Sequence, residues 1–211
     1  MREASFAALA DKQTGTLYTD QTGALPVRSL EGMQYFVVTY DYDTNYIFAN
    51  PISDLKDETI IEAFESVFNE LKNKGYKPTF NITDNQCTKP IKAFLQKEEC
   101  KWQFFKPTNH RVNAAERAIQ TFKNHFISGL CSTNSDWPLQ LWDQLAEQAI
   151  ITLNLVRTSR IDPAKSAYHQ LHGRKYDWNS HPMAPPGTRA VIYLDPDNRT
   201  SWGARGLDAW Y

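Results

Sequence analysis

The sequence has few cysteines, no long apolar run and almost no net charge, and each absence excludes a class of protein. Its three cysteines (Cys87, Cys100 and Cys131) in 211 residues are too few and too scattered for a disulfide framework or a Cys-x-x-Cys zinc site. No apolar stretch approaches the roughly 18 residues of a membrane-spanning helix, and the first residues lack the apolar core of a signal peptide. We therefore expect an intracellular globular protein with no membrane segment.

The charge distribution is more informative than the total. A formal net charge of -1 does not by itself indicate a nucleic-acid-binding protein. Residues 101–130, however, hold five basic residues and one acid, a local formal charge of +4. A basic segment around a single carboxylate suits phosphate binding, although an ordinary solvated face explains these charges equally well.

The spacing of apolar residues predicts an α/β domain. Three extended stretches come first and form a predicted antiparallel meander, and helices and strands then alternate. The predicted strands are residues 16–20, 34–40, 46–51, 79–83 and 102–105. The predicted helices are residues 57–74, 89–96, 113–130 and 138–156, with a short helix around His169 and His172, which we interpret as surface residues. This order implies a mixed five-stranded sheet flanked by helices.

The chain divides into three predicted parts. Residues 1–13 have no periodicity and form a lead-in, and residues 14–180 form the core domain. Residues 181–211 form a linker rich in proline and glycine that leads into the start of a C-terminal β segment. We expect the chain to be a piece of a longer polyprotein or a decayed copy of it.

Carboxylates at the ends of predicted elements form the candidate site. Asp84 directly follows a strand, and Glu116 stands in the first turn of a predicted helix. Together with Asp20 they would make a site of three carboxylates, which suits hard cations such as Mg²⁺. Two such ions can promote phosphoryl displacement without a covalent nucleophile. Taken singly, Asp84 is explained as a turn residue and Glu116 as an acid that complements the helix dipole.

The motifs around two of these acids resemble a known family. The chain reads Thr-Asp-Asn at residues 83–85 and Asn-Ala-Ala-Glu-Arg at residues 113–117, with 31 residues between the two acids. This arrangement resembles the catalytic core of retroviral and retrotransposon integrases, although the interval is slightly short. Further similarity lies around residues 18–23, 104–107 and 162–174, so that the resemblance covers roughly residues 14–180.

The resemblance implies a ribonuclease-H-like fold and an enzyme that processes DNA 3′ ends and transfers them into target DNA. Asp20, Asp84 and Glu116 would be the catalytic residues and the ligands of Mg²⁺ or Mn²⁺. Asp41 and Asp43 are rivals for the first position, because they also follow a strand. The family's first acid lies in the opening strand, which favours Asp20.

The resemblance also implies DNA contacts around Glu116. Residues 116, 120 and 123 share one face at helical spacing, so Gln120 and Lys123 lie beside the catalytic candidate. Lys123 matches a position that the family uses to hold DNA ends, where a lysine contacts phosphate without reading sequence. His110 and Arg111 precede the helix and are candidate DNA contacts too. At Asn113, also a candidate DNA contact, the family usually has glycine; asparagine tolerates turn conformations and can cap a helix.

Several expectations concern the biological setting. The resemblance implies a homo-oligomer that acts on element ends and target DNA, in the nucleus after a cytoplasmic particle stage. The family's His-His-Cys-Cys zinc module has no matching spacing here. Two alternatives stay open: a nuclease of the same fold, and a degenerate or domesticated domain that binds nucleic acid without catalysis.

Overall fold

The computed structural model describes residues 14–83, 88–104, 113–185 and 187–210. The strands are β1 (Thr16–Gln21), β2 (Tyr35–Asp41), β3 (Ile47–Ile52), β4 (Phe80–Thr83), β5 (Lys101–Phe104), β6 (Arg189–Tyr193) and β7 (Gly206–Trp210). The helices are α1 (Asp57–Asn73), α2 (Lys89–Lys97), α3 (Asn113–Cys131), α4 (Ala146–Val156) and α5 (Ala167–His172). Short 3₁₀ turns lie at Leu139–Leu141 and Pro196–Asn198.

The main sheet has five strands in the order β3-β2-β1-β4-β5. Strands β1, β2 and β3 pair antiparallel, whereas β4 pairs parallel with β1 and β5 pairs parallel with β4. This arrangement confirms the predicted mixed sheet with its opening meander. Because β1 is central, its carboxyl end lies between β2 on one side and β4 on the other.

Alternating side chains divide the core into two layers, one on each face of the sheet. Leu17 and Val37 point toward α1, α2 and α5, where Phe64, Phe68 and Leu95 are buried. Tyr18, Phe36 and Val38 point toward α3 and α4. A sheet covered on both faces explains why β2 is almost continuously buried.

Helix α1 follows directly from its sequence pattern. Its buried side chains recur at helical spacing: Ile60, Ala63, Phe64, Val67, Phe68 and Leu71. Two acids, Asp57 and Glu58, stand in its first turn, where they complement the helix dipole. Gly75, with φ of 83°, ends it in a conformation that glycine adopts without steric cost.

The single helix predicted over residues 138–156 is wrong. The chain instead makes the 3₁₀ turn Leu139–Leu141, tight turns through Leu145, and then α4. The indole N–H of Trp142 donates to the carbonyl of Val27 at 2.9 Å, and the ring is 1% exposed. The backbone N–H of Leu30 donates to the carbonyl of Gln140 at 2.9 Å. These distant contacts override the helical periodicity.

The interpretation of His172 as a surface residue is also wrong. Its ring lies 4.2 Å from the ring of Tyr168 and 5.9 Å from that of Tyr46, measured between centroids. Its Nε2 atom is buried and has no hydrogen-bond partner in the described part of the chain. Burial lowers the pKa of His172 to about 4. The ring is therefore a neutral packing element.

Strands β6 and β7 pair antiparallel as a separate two-stranded sheet. Both lie within residues 181–211, where a C-terminal β segment was expected. The predicted lead-in, residues 1–13, lies outside the described residues. No helix in the described ranges has the length and apolar character needed to cross a membrane.

Candidate active site

Asp20 occupies the carboxyl end of the central strand. It is the fifth of the six residues of β1 and lies opposite Val38 of β2. The Tyr18 side chain belongs to the α3 layer, so alternation puts Asp20 on the same face of the sheet. The carboxylate is half-buried, and its Oδ1 accepts the backbone N–H of Gln21 at 2.8 Å.

The neighbouring strand β4 ends beside Asp20. Its last residue, Thr83, pairs with Thr19, the residue before Asp20. The side chains of Thr19 and Asn81, both buried, hydrogen-bond to each other at 3.2–3.3 Å and tie the two strands together on the opposite face. This polar pair was not anticipated from the sequence. Asp84 directly follows Thr83 in sequence and itself lies outside the described residues.

Helix α3 is anchored to the sheet by aromatic packing. The ring of Phe36 on β2 lies 5.1 Å from Phe122 and 5.0 Å from Phe126, measured between centroids, in edge-to-face geometry. Phe36 also lies 5.0 Å from Trp142, which precedes α4. The helix thus contacts β1, β2 and β3, and these contacts determine which of its faces is turned toward the sheet.

Because the aromatic face of α3 packs on the sheet, a different face of the helix is accessible to solvent. Glu116 is in its first turn and is exposed, as is Gln120, whose amide donates to Asn124 Oδ1 at 2.7 Å. Lys123 is half-buried at the edge of the same face. The continuous helix gives these residues the predicted common face. Asn113 begins the helix.

Of the remaining predicted DNA contacts, His110 and Arg111 lie outside the described residues, as does the side chain of Asn113. Within the described residues, no group of three or more His, Cys, Asp or Glu side chains is placed to hold a metal ion. The predicted ligand set includes Asp84, which does not belong to that part of the chain.

The rival acids Asp41 and Asp43 lie at the other end of β1. Asp41 pairs with Leu17, three residues before Asp20, which corresponds to about 10 Å along the strand. It is 3% exposed, and both the N–H and the hydroxyl of Thr44 donate to its Oδ2 atom. Burial raises the pKa of Asp41 to about 6.

Asp43 is engaged in the same structural manner. Its carboxylate accepts the hydroxyl of Thr14 and the backbone N–H of Gly15, each at 2.8 Å. Both rivals therefore secure the β2–β3 turn and the start of β1. Neither shares the strand end at which Asp20 lies.

A cleft beside Lys123 is a second feature that sequence reasoning missed. It has a volume of about 430 Å³ and lies between residues 22–27 and the second half of α3. Phe122, Phe126 and Trp142 form its apolar wall, and Lys123 contributes a cation to its lining. The segment 22–27 meets α3 only through the tertiary fold, so no local pattern marks the cleft.

The sheet order, the central β1 and the crossing helix α3 define a ribonuclease-H-like fold. One similar solved structure is the catalytic core domain of BIV integrase, with a TM-score of 0.55 and 12% sequence identity. The match covers 75% of this chain and 94% of that one. No protein-family model and no curated protein sequence matches this chain. The chain has the fold of an integrase catalytic core, as the sequence motifs predicted.

Proposed function

We propose that this chain is the catalytic core of a retrotransposon-type integrase, a metal-dependent polynucleotidyl transferase that processes and joins DNA 3′ ends. The observation that carries the proposal is the parallel pair β1–β4. Its last paired residues are Thr19 and Thr83, which are followed in sequence by Asp20 on one strand and by Asp84 on the other. Helix α3, which begins at Asn113 and bears Glu116, packs over β1.

The donor set fits Mg²⁺ or Mn²⁺. Carboxylate oxygens are the hard ligands that these ions prefer, and Mg²⁺ usually keeps several waters beside one or two carboxylates. Asp20 is half-buried and Glu116 is exposed, so both positions are open to water and substrate. Asp20, Asp84 and Glu116 would hold the ions, which when bound lower the pKa of water and stabilise charge on phosphoryl oxygens.

The chain's other residues would position the DNA. Lys123 and Gln120 lie on the face of α3 that carries Glu116, and a lysine there would neutralise a backbone phosphate. Arg111, His110 and Asn113 are proposed as further contacts from their place in sequence just before Glu116. We propose a homo-oligomer that acts on element ends and target DNA in the nucleus.

A strand-joining assay tests the proposal. Because one phosphodiester replaces another, the reaction is reversible, and a branched duplex that mimics the joined product avoids the need to know the element ends. We expect Mg²⁺-dependent resolution of the branch by the wild-type chain and none by Asp84→Asn or Glu116→Gln. Glu147→Gln is the matched control, since Glu147 is likewise an exposed acid in the first turn of a helix, α4.

The other outcomes identify the alternatives. Nicking of DNA without joining would replace the proposal with a nuclease. DNA binding with neither reaction, in a folded wild-type chain supplied with metal, would replace it with a non-catalytic domain. Equal activity of Glu116→Gln and Glu147→Gln would remove Glu116 from the chemistry.

A further inference from the structure

Two arginines after α4 are held in place over the end of the meander. Arg157 donates from Nε to the carbonyl of Asn45 at 2.9 Å and from Nη2 to its Oδ1 at 2.5 Å. Arg160 donates from Nε and Nη2 to the Tyr40 hydroxyl oxygen at 3.1 and 3.0 Å. That hydroxyl donates in turn to Asn45 Oδ1 at 2.8 Å. One continuous network therefore fixes both guanidinium groups.

Aromatic rings support the same two groups. The Cζ atom of Arg160 lies 4.2 Å from the ring centroid of Tyr42, and that of Arg157 lies 5.6 Å from the centroid of Tyr40. Both distances fall within the range of cation–π attraction. Arg160 nevertheless remains exposed. Its unused N–H groups are thus available to a ligand from solvent.

No acid in the described ranges balances this pair of cations. Within the described ranges, neither Arg157 nor Arg160 takes part in an ion pair. The nearby acid Asp43 is committed to Thr14 and Gly15, and Asp162 pairs with Lys165 at 3.1 Å. Burial lowers the pKa of Arg157, and the charge of Arg160 lowers it further. Two adjacent, preorganised guanidinium groups with no counter-charge among the described residues are suited to bind an anion.

We propose that Arg157 and Arg160 form a phosphate site that takes a backbone phosphate of bound nucleic acid. A guanidinium group can form two parallel hydrogen bonds to the oxygens of one phosphate. Because neither arginine forms an ion pair with a described acid, their remaining N–H donors can make these bonds. Tyr40 pairs with Tyr18, two residues before Asp20 on the same face of the sheet. Tyr18 and Asp20 are about 7 Å apart along β1, so one duplex can reach both Asp20 and the residues around Tyr40. This inference rests on the proposed function.

Duplex binding without metal tests the site separately from catalysis. Fluorescence anisotropy of a short labelled duplex in EDTA, over a series of salt concentrations, gives the affinity and its salt slope. For Arg160→Gln we expect weaker binding to all sequences and a salt slope smaller by about 1, with about twice that change when Arg157→Gln is added. Arg160→Lys keeps the charge and loses the fork, so it should retain the slope with reduced affinity.

The controls remove the same charge elsewhere. Arg28→Gln removes an exposed arginine, and Arg199→Gln removes one whose Cζ lies 5.7 Å from the ring centroid of Tyr193. Each should leave the salt slope near the wild-type value. If Arg157→Gln unfolds the chain, as judged by its urea midpoint, the exposed Arg160 decides the result alone.

Three results would overturn the site. Wild-type affinity and slope in a folded Arg160→Gln variant would exclude phosphate contact, while Mg²⁺-dependent joining would leave the proposed function standing. A change in self-association by light scattering, with duplex binding unaffected, would identify a protein contact instead. Absence of duplex binding by the wild-type chain would remove both the site and the proposed function.

Discussion

Replacing Asp41 with asparagine probes an acid that the fold has buried for structural reasons. The carboxylate is 3% exposed at the end of β2 and accepts the N–H of Thr44 at 3.1 Å. Asparagine has nearly the same shape and still offers an acceptor oxygen. The variant Asp41→Asn therefore removes the ionisable group while keeping most of its packing.

The magnitude follows from the shift in pKa. Burial raises the pKa of Asp41 from 3.8 to about 6, so the native state binds this proton more tightly than the unfolded state. Its contribution to stability is therefore present below about pH 4 and is lost as the pH rises through 6. Two pKa units correspond to about 3 kcal/mol. Asparagine is neutral at every pH, so the variant does not lose stability in this way as the pH rises.

Urea unfolding at pH 4 and pH 7 measures the effect. Between the two values, the free energy of unfolding of wild type relative to Asp41→Asn should fall by roughly 2.5 kcal/mol, because the unfolded carboxyl is already partly ionised at pH 4. Asp54→Asn is a control of opposite sign, because hydrogen bonds from Thr59 and Lys56 lower the pKa of Asp54. It should lose more stability at pH 7 than at pH 4. An Asp41→Asn difference that does not vary with pH would refute the reasoning.

The same variant bears on the choice of the first metal ligand. Asp41 lies at the opposite end of β1 from Asp20 and is held by Thr44. We therefore expect Asp41→Asn to retain strand joining and Asp20→Asn to lose it. The reverse outcome would make Asp41 the ligand.

Three further predictions concern packing, protonation and DNA contact. Phe122→Ala should lower the free energy of unfolding in urea by about 3–5 kcal/mol. Ile127→Ala is the control, because Ile127 is 55% exposed, and it should lower that free energy by less than about 1 kcal/mol. Equal losses in the two variants would contradict the anchoring of α3. Burial lowers the pKa of His172 to about 4, so wild type should lose stability as the pH falls below 6.5, and His172→Phe should lose less between pH 7 and 5 in thermal melts. Lys123→Ala should reduce the salt slope of duplex binding by about 1, unlike the exposed-surface control Lys175→Ala, and equal slopes would exclude Lys123 from DNA.

Local pattern was sufficient for most of the fold. The β-branched and aromatic run of β2 and the turn after it predicted the meander, because strands adjacent in sequence usually pair. The stripe of apolar residues on α1 predicted a helix that packs on one face. In contrast, the helix expected over residues 138–156 was broken by the hydrogen bond from Trp142 to Val27, a contact across 115 positions. Periodicity carries no information on such a contact.

In the candidate site, too, local pattern predicted some features, whereas others depend on contacts between distant residues. Motif spacing nominated Glu116, and the strand pattern nominated Asp20 together with its rivals. Only the sheet register separates Asp20 from Asp41, since register depends on pairing between strands and not on either strand alone. The hydrogen bond between Arg160 and Tyr40 joins residues 120 positions apart, and no local pattern indicates such a contact.

Divalent-metal titration of the wild type, Asp84→Asn and Glu116→Gln tests most directly whether these carboxylates form a metal site. Calorimetry with Mn²⁺ and Mg²⁺ should show binding to the wild type and to the control Glu147→Gln. Each of the two site variants should bind at least about 10-fold more weakly, since even the loss of an outer partner of a metal ligand has effects of that size. Equal affinity in all four proteins would contradict the account.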